Sequence, residues 1–282
     1  MTDGEAAGTA ARAVAEIEVL AKEGHSFPPP EAFKAQAIVQ DDSLYRAAEE
    51  DLEGFWLEHA KQFVDWMKEP TKSLEWDPPH CTWFADGELN VSYNCLDKHV
   101  EAGRGDKVAF HFVPEPVDEE ARPITFAQLK DEVCRFANAL LGLGVKKGDR
   151  VGIYMGMVPE LPVAMLACAR LGAPHVVVFG GFSAESLAER MRDTGVKVLL
   201  TQDEGWRKGA KVPLKRNADD AAAQAPDLER FVVLRRTGDE VPWEESRDVW
   251  WHDLVADQDA ECEAERMNGE DPLFLLHTSG TT

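Results

Sequence analysis

The chain has 282 residues, 44% hydrophobic and 29% charged, the composition of a globular protein with one large domain or two smaller ones. Asp and Glu outnumber Lys and Arg by 52 to 30, a formal net charge of −22, and such a field disfavours broad contact with nucleic-acid phosphates or anionic lipid. Five scattered cysteines with no CxxC pair exclude a disulfide scaffold and suit a reducing, cytoplasmic compartment, and no apolar run approaches the ~18 residues of a membrane span.

The N-terminus, Met1-Thr2-Asp3-Gly4-Glu5, has neither the basic start nor the apolar stretch of a secretory signal. Residues 1–40 are rich in Ala, Gly and Glu, carry Pro28-Pro29-Pro30, and read as a weakly ordered leader with some helical tendency. Asp41-Asp42-Ser43 offers N-caps for a helix reaching towards Met67, with Leu44, Ala47, Ala48, Leu52, Phe55, Trp56, Phe63 and Trp66 at near-helical spacing. Residues 70–100 read as a loop-rich, aromatic segment that either packs across a neighbouring domain or serves as a surface connector.

From residue 106 short strands alternate with helices. Lys107–Val113 is strand-like, and Thr125 followed by Gln128 forms a capping box that opens a helix ending near Gly142 or Gly144. Arg150–Met155 is a buried-type strand, Pro159–Leu171 a helix, and His175–Phe179 a strand broken by Gly180-Gly181. Ser183 caps a helix to Thr194, the strand Val196–Thr201 follows, and a helix near Pro213–Ala225 leads to the strand Phe231–Arg235. The pattern predicts an α/β fold: right-handed βαβ units in a doubly wound, mostly parallel sheet with flanking helices. Cys134 and Cys168 fall inside amphipathic patterns and read as core residues.

Pro272–His277 is a last short strand, followed by Thr278-Ser279-Gly280-Thr281-Thr282. Small residues let backbone N–H groups approach a phosphate and hydroxyls add donors, although many such turns bind nothing. It is not a Walker A loop, since no G-x-x-x-x-G-K precedes the hydroxyls. A fresh strand and half a loop at the end of the sequence predict a fragment cut inside a motif. Arg207, Lys208, Lys211, Lys215 and Arg216 form the densest basic cluster of an acidic chain, fitting an anionic ligand; read by itself, such a cluster is ordinarily a solvated loop. His80 and His252 lack metal-ligand spacing, Glu244-Glu245 and Asp118-Glu119-Glu120 read as solvated charges, and Trp250 and Trp251 read as packing residues. Net charge of this size suits a salt-rich cytoplasm that screens self-repulsion, and also a merely soluble acidic protein.

The end Leu275-Leu276-His277-Thr278-Ser279-Gly280-Thr281-Thr282 resembles the phosphate loop of adenylate-forming enzymes, which continues into Gly-Lys-Pro-Lys-Gly. Further stretches narrow the resemblance to the AMP-forming acetyl-CoA synthetases. These are Leu89-Asn90-Val91-Ser92-Tyr93-Asn94-Cys95-Leu96-Asp97, Ala164-Met165-Leu166-Ala167-Cys168-Ala169-Arg170-Leu171-Gly172-Ala173 and Val178-Phe179-Gly180-Gly181-Phe182-Ser183. Asp203-Glu204-Gly205, Trp250-Trp251-His252-Asp253-Leu254-Val255 and Glu270-Asp271-Pro272-Leu273-Phe274 follow in the same order, colinear from about residue 45 to the end.

The resemblance implies an acid–thiol ligase using ATP, CoA and Mg²⁺: acetate attacks the α-phosphate of ATP, pyrophosphate leaves, and CoA displaces AMP. A propionate or other short-chain acyl-CoA ligase, and a non-catalytic truncated CoA-binding module, are the alternatives. By the resemblance, Thr278, Ser279, Gly280, Thr281 and Thr282 grip the β- and γ-phosphates. Phe179, Gly180, Gly181, Arg207, Lys208, Gly209 and Ala210 hold the nucleotide end of CoA. Ala210 stands where relatives carry Lys or Arg, with Lys208 or Lys211 as compensation. The implied division is leader 1–40, N-terminal extension 41–100 and AMP-binding domain 101–282. The acid pocket, the Mg²⁺-associated acidic residue and the catalytic lysine are expected beyond residue 282, so this chain alone is expected not to make acetyl-AMP. The sequence does not fix an oligomeric state.

Overall fold

The computed structural model describes residues 26–278. The chain divides between Leu52 and Glu53 into two units, taken separately. In the first, Glu31–Gln36 is helical directly after Pro30, and Ser43–Glu50 forms a second helix. The single helix expected from Ser43 towards Met67 is in fact two, because Asp51 breaks it with φ −147° and ψ 85°, and Leu52–Phe63 begins anew. The charges explain the break. Glu49 and Glu50 crowd the carbonyl end of the first helix, where negative charge is unfavourable, whereas Glu53 falls in the first turn of the next, where it is favourable.

In the second unit, residues 70–100 are more regular than expected. Strands β1 (Leu74–Asp77) and β2 (His80–Trp83) form an antiparallel hairpin, and β3 (Glu88–Leu89) pairs with β13 (Met267–Asn268). The predicted strand near 107–113 exists as β4 (Val108–Phe112) but lies outside the main sheet, paired antiparallel with β5 (Arg122–Thr125). The link between them is too short for the crossover of about a dozen residues that a parallel neighbour needs.

The main sheet comprises β6 (Val151–Met155), β7 (His175–Phe179), β8 (Val198–Gln202), β11 (Arg230–Leu234), β12 (Asp248–Trp250) and β14 (Phe274–Leu275). It is six-stranded and parallel throughout, in the order β12-β11-β8-β6-β7-β14, which bears out the predicted fold class. Every residue of β6 and of β8 is buried, as a strand covered by helices on both faces requires. Val151, Ile153 and Met155 face a core shared with the helices Phe126–Gly142 and Glu160–Leu171, whereas Tyr154 faces the helices Ala184–Thr194 and Leu214–Ala222. The predicted caps are present. Gln128 N–H donates to Thr125 Oγ1 at 3.2 Å and Thr125 N–H to Gln128 Oε1 at 2.9 Å, and Ser186 N–H donates to Ser183 Oγ at 3.3 Å. Trp251 stacks on Phe136 and Trp250 on Trp243, so both rings are committed to packing. Cys134 and Cys168 are buried in the core. No described helix is long and apolar enough to cross a membrane.

Residues 90–97 are locked to the sheet domain by buried polar groups. Asn90 Nδ2 donates to the carbonyls of Ala169, Arg170 and Glu265, at 3.1, 3.1 and 2.9 Å, satisfying the open end of the helix Glu160–Leu171. Asp97 accepts a bidentate pair from Arg170 at 2.7 and 3.1 Å, with Lys130 at 3.2 Å. Burial works to raise the Asp97 carboxyl, but Arg170 and Lys130 together hold it below the ordinary 3.8. Its stabilisation is therefore present above that value and is lost as the pH falls through the lowered one. Arg170→Met leaves a buried carboxylate without its main partner and is expected to lower unfolding free energy by about 3 kcal/mol or more in urea titration. The double change Asp97→Leu/Arg170→Met should recover most of that loss; equal instability of the two variants would refute the pairing.

Candidate functional site

Strand order places the site. The chain goes from β6 outward to β7, then returns to the far side of β6 for β8 and continues to β11 and β12. At such a reversal the loops leaving adjacent strands diverge, and a crevice opens outside their carboxyl ends. A cavity of about 290 Å³ lies there, bounded by Met155 and Gly156 at the end of β6, Phe179–Gly181 at the end of β7, and Gln202 at the end of β8.

Of the residues expected to hold CoA, the structure brings Phe179, Gly180, Gly181 and Arg207 together in this cavity. The Arg207 guanidinium lies over the Phe179 ring, 4.6 Å from its centroid, and has no acidic partner among the described residues. Gly181 makes that approach possible: a Cβ there would lie 2.0 Å from Arg207 Nη1 and 2.8 Å from Phe179 Cε1. Gly180 abuts the Met155 carbonyl in the same way, at 3.1 Å. Below them, Gln202 Oε1 accepts from Gly156 N–H at 2.9 Å and Gln202 Nε2 donates to the Glu204 carbonyl at 2.7 Å, fixing the floor.

Arg207 reaches the cavity from an antiparallel hairpin, β9 (Gly205–Arg207) with β10 (Ala210–Val212), that the sequence reading did not anticipate. Its two turn residues, Lys208 and Gly209, have φ of +51° and +74°, the left-handed pair of a type I′ turn. Lys-Gly is a weaker signal for that turn than Asn-Gly. Lys208, Gly209 and Ala210 sit on the exposed hairpin tip and do not line the cavity.

The basic cluster separates into unlike parts. Lys211 is bound by Asp239 at 2.5 Å and Glu204 at 3.6 Å, and the hydrogen bond to Asp239 raises its pKa. Lys215 is fully buried between Asp219 at 2.7 Å and Asp248 at 2.8 Å, a structural ion pair. Neither lines the cavity, and both are held by carboxylates.

Two groups at the cavity were not foreseen. Arg236, just after β11, also lines the cavity and pairs with Glu119 at 2.6 Å. Its backbone is set by the fully buried Asp203 carboxylate, which accepts from the N–H groups of Glu204, Arg236, Thr237 and Gly238 at 2.7 to 3.2 Å. The other is Glu115, whose carboxylate accepts from Gly209 N–H at 2.9 Å. The available signal was an Arg-Arg pair at the carboxyl end of a predicted strand in an acidic chain.

The second expected site falls mostly outside the described residues: Ser279, Gly280, Thr281 and Thr282 lie beyond them, and Thr278 is exposed at their edge. The strand leading to it is shorter than predicted, Phe274–Leu275, and runs parallel to the start of β7, with Phe274 opposite His175. His277 Nε2 lies 3.2 Å from Asp193 Oδ2, and Thr278 is not brought to the cavity. His80 and His252 stay exposed, and among the described residues no group of three or more His, Cys, Asp or Glu is arranged to hold a metal ion.

Residues 96–282 match the family model described as AMP-binding enzyme, and residues 41–95 match that described as acetyl-coenzyme A synthetase N-terminus. The chain is 53% identical over 264 residues to an acetyl-coenzyme A synthetase of Streptomyces avermitilis, covering 93% of this chain and 40% of that protein. It is 52% identical to one of Rubrobacter xylanophilus, covering 91% and 40%, and 51% identical to one of Methanothrix thermoacetophila, covering 81% and 34%. The chain thus spans about 40% of the length of the first relatives it matches.

His175 anchors the strand that enters the terminal loop, and burial pushes its imidazole down from 6.5 to about 4. An unfolded chain binds this proton at a higher pH than the folded one, so stability is full above about pH 6.5 and falls towards pH 4 by about 3 kcal/mol. His175→Val should flatten denaturation free energy across that window; an unchanged slope would sink this account.

Proposed function

The chain belongs to the AMP-binding enzyme family, and from that premise we propose that it is the CoA-binding and phosphate-loop part of an AMP-forming acetate–CoA ligase. In the reaction proposed for the whole protein, a carboxylate oxygen of acetate attacks the α-phosphorus of ATP and the α–β phosphoanhydride bond breaks. Pyrophosphate leaves and acetyl-AMP remains. The CoA sulfur then attacks the acetyl carbonyl, the acyl–phosphate bond breaks, and AMP leaves. The match of residues 41–95 to the acetyl-coenzyme A synthetase N-terminus, beside relatives of that name, favours acetate over another short acid. Domain limits of 41–100 and 101–282, after a leader at 1–40, belong to this reading.

The observation that carries the CoA assignment is Arg207 over Phe179 beside two glycines at the strand reversal. A guanidinium there meets a purine face or a phosphate, and the glycines leave room for either. Thr278, Ser279, Gly280, Thr281 and Thr282 take the ATP phosphates in this reading. Mg²⁺ would neutralise charge developing on those phosphates. The described residues offer it no ligand set, so no metal-dependent step is assigned to them. Isothermal titration of the 282-residue chain should show CoA binding that Arg207→Ala weakens by about tenfold, the loss of one charge-assisted contact. Titrations without heat at millimolar CoA would overturn the assignment.

The cell compartment in this reading is a reducing cytoplasm of high salt. All five cysteines are free thiols, and the excess of acids calls for counterions. Molar potassium chloride should then raise the melting temperature by several degrees, and a flat response would remove the high-salt part of the reading.

A further inference from the structure

We propose that Arg236 is a second phosphate-binding cation of the cleft, and that the Glu119 carboxylate holds its place until an anionic nucleotide displaces it. The inference rests on the CoA reading of the same cavity and adds a residue to it.

The hairpin brings one cation into the cleft, Arg207. Ala210 contributes none, and Lys211 lies outside the cavity lining, held by Asp239 and Glu204. A nucleotide with phosphate groups at more than one position needs a second donor. Arg236, which also lines the cavity, meets the need. Three successive backbone N–H groups, of Arg236, Thr237 and Gly238, are tied to the buried Asp203 carboxylate, so the side chain springs from a fixed point. Its guanidinium has five N–H donors, and the contact with Glu119 uses Nη2. The pair is accessible, with side chains 18% and 37% exposed, so exchanging one anion for another needs no repacking of the core.

Glu119 belongs to the loop between β4 and β5, and the same loop sends Glu115 to Gly209 N–H at 2.9 Å. Two carboxylates of one loop therefore hold donors at the cleft, Arg236 in its lining and Gly209 N–H on the hairpin tip. Carboxylate and phosphate oxygens accept from the same donors, and the phosphate, with more charge and more oxygens, competes well for a guanidinium fork. Glu119 fills the Arg236 fork with internal charge, and the ligand for which it is exchanged is a nucleotide bearing more than one phosphate group, such as CoA.

The test is calorimetric titration of CoA into the 282-residue chain and its variants, with circular dichroism melts to confirm folding. Arg236→Gln should weaken CoA binding by about tenfold, whereas Glu119→Gln, which frees Arg236, should strengthen it several-fold. The double variant should bind as weakly as Arg236→Gln, since the gain from Glu119→Gln acts only through Arg236. Arg236→Lys should recover part of the affinity by keeping the charge. If Arg236→Gln binds as wild type while Arg207→Ala binds weakly, the role of Arg236 is overturned and the CoA reading stands. If wild type does not bind CoA, both fall. Unchanged or weaker binding by Glu119→Gln overturns the displacement, and that variant decides the matter even where Arg236→Gln does not fold.

Discussion

The pairing of β6 with β7 on one side and β8 on the other is the constraint on which the molecule depends. A parallel strand needs a crossover for each neighbour, and each crossover here is a helix that covers one face of the sheet. With both faces covered, β6 is buried along its whole length, and the chain can meet a ligand only at the strand ends. The reversal of direction around β6 then decides which end: Gly156, Gly180 and Gln202 leave adjacent strands at the carboxyl edge and spread apart. The cavity is a consequence of strand order, and its side chains only decide what it can hold.

Buried ion pairs fix the parts that strand order leaves loose. Asp97 with Arg170 fastens the segment before the sheet domain to the helix Glu160–Leu171, and Lys215 with Asp248 fastens the helix Leu214–Ala222 to the edge strand β12. Each pair loses its hydration, so the net gain in stability is small, but leaving either partner alone is costly. Such pairs specify arrangement more than they add stability. Each pair withdraws one acid and one base together, so the net charge left at the surface is unchanged.

The sequence foretold the sheet domain better than its surroundings, for a physical reason. Caps and apolar periodicity are local signals, and Thr125 with Gln128, Ser183, and the β-branched run His175–Phe179 carry them. The strand order that makes the cavity is a non-local result, and no residue between 151 and 202 announces which side of β6 its successor takes. The hairpin at Lys208–Gly209 was hidden because a lysine occupies a position with positive φ, where Asn or Asp would have advertised the turn. The basic cluster shows the opposite case: its members are adjacent in sequence, but the exposed Arg207 on the hairpin and the buried Lys215 on a helix have unlike environments.

What separates an available cation from a spent one is visible within the hairpin. Arg207 and Lys211 lie on its two strands, yet Lys211 is bound by carboxylates and Arg207 rests on the face of Phe179. A carboxylate cancels the charge of its partner, so an incoming anion has to break that pair first. An aromatic face orients a guanidinium through its quadrupole and leaves the full positive charge in place. In a chain with a net charge of −22, almost any free cation has an acid within reach, and an aromatic partner is the way to hold one still without neutralising it. Phe179, 53% exposed at the end of β7, presents its ring to the Arg207 guanidinium and leaves that charge in place.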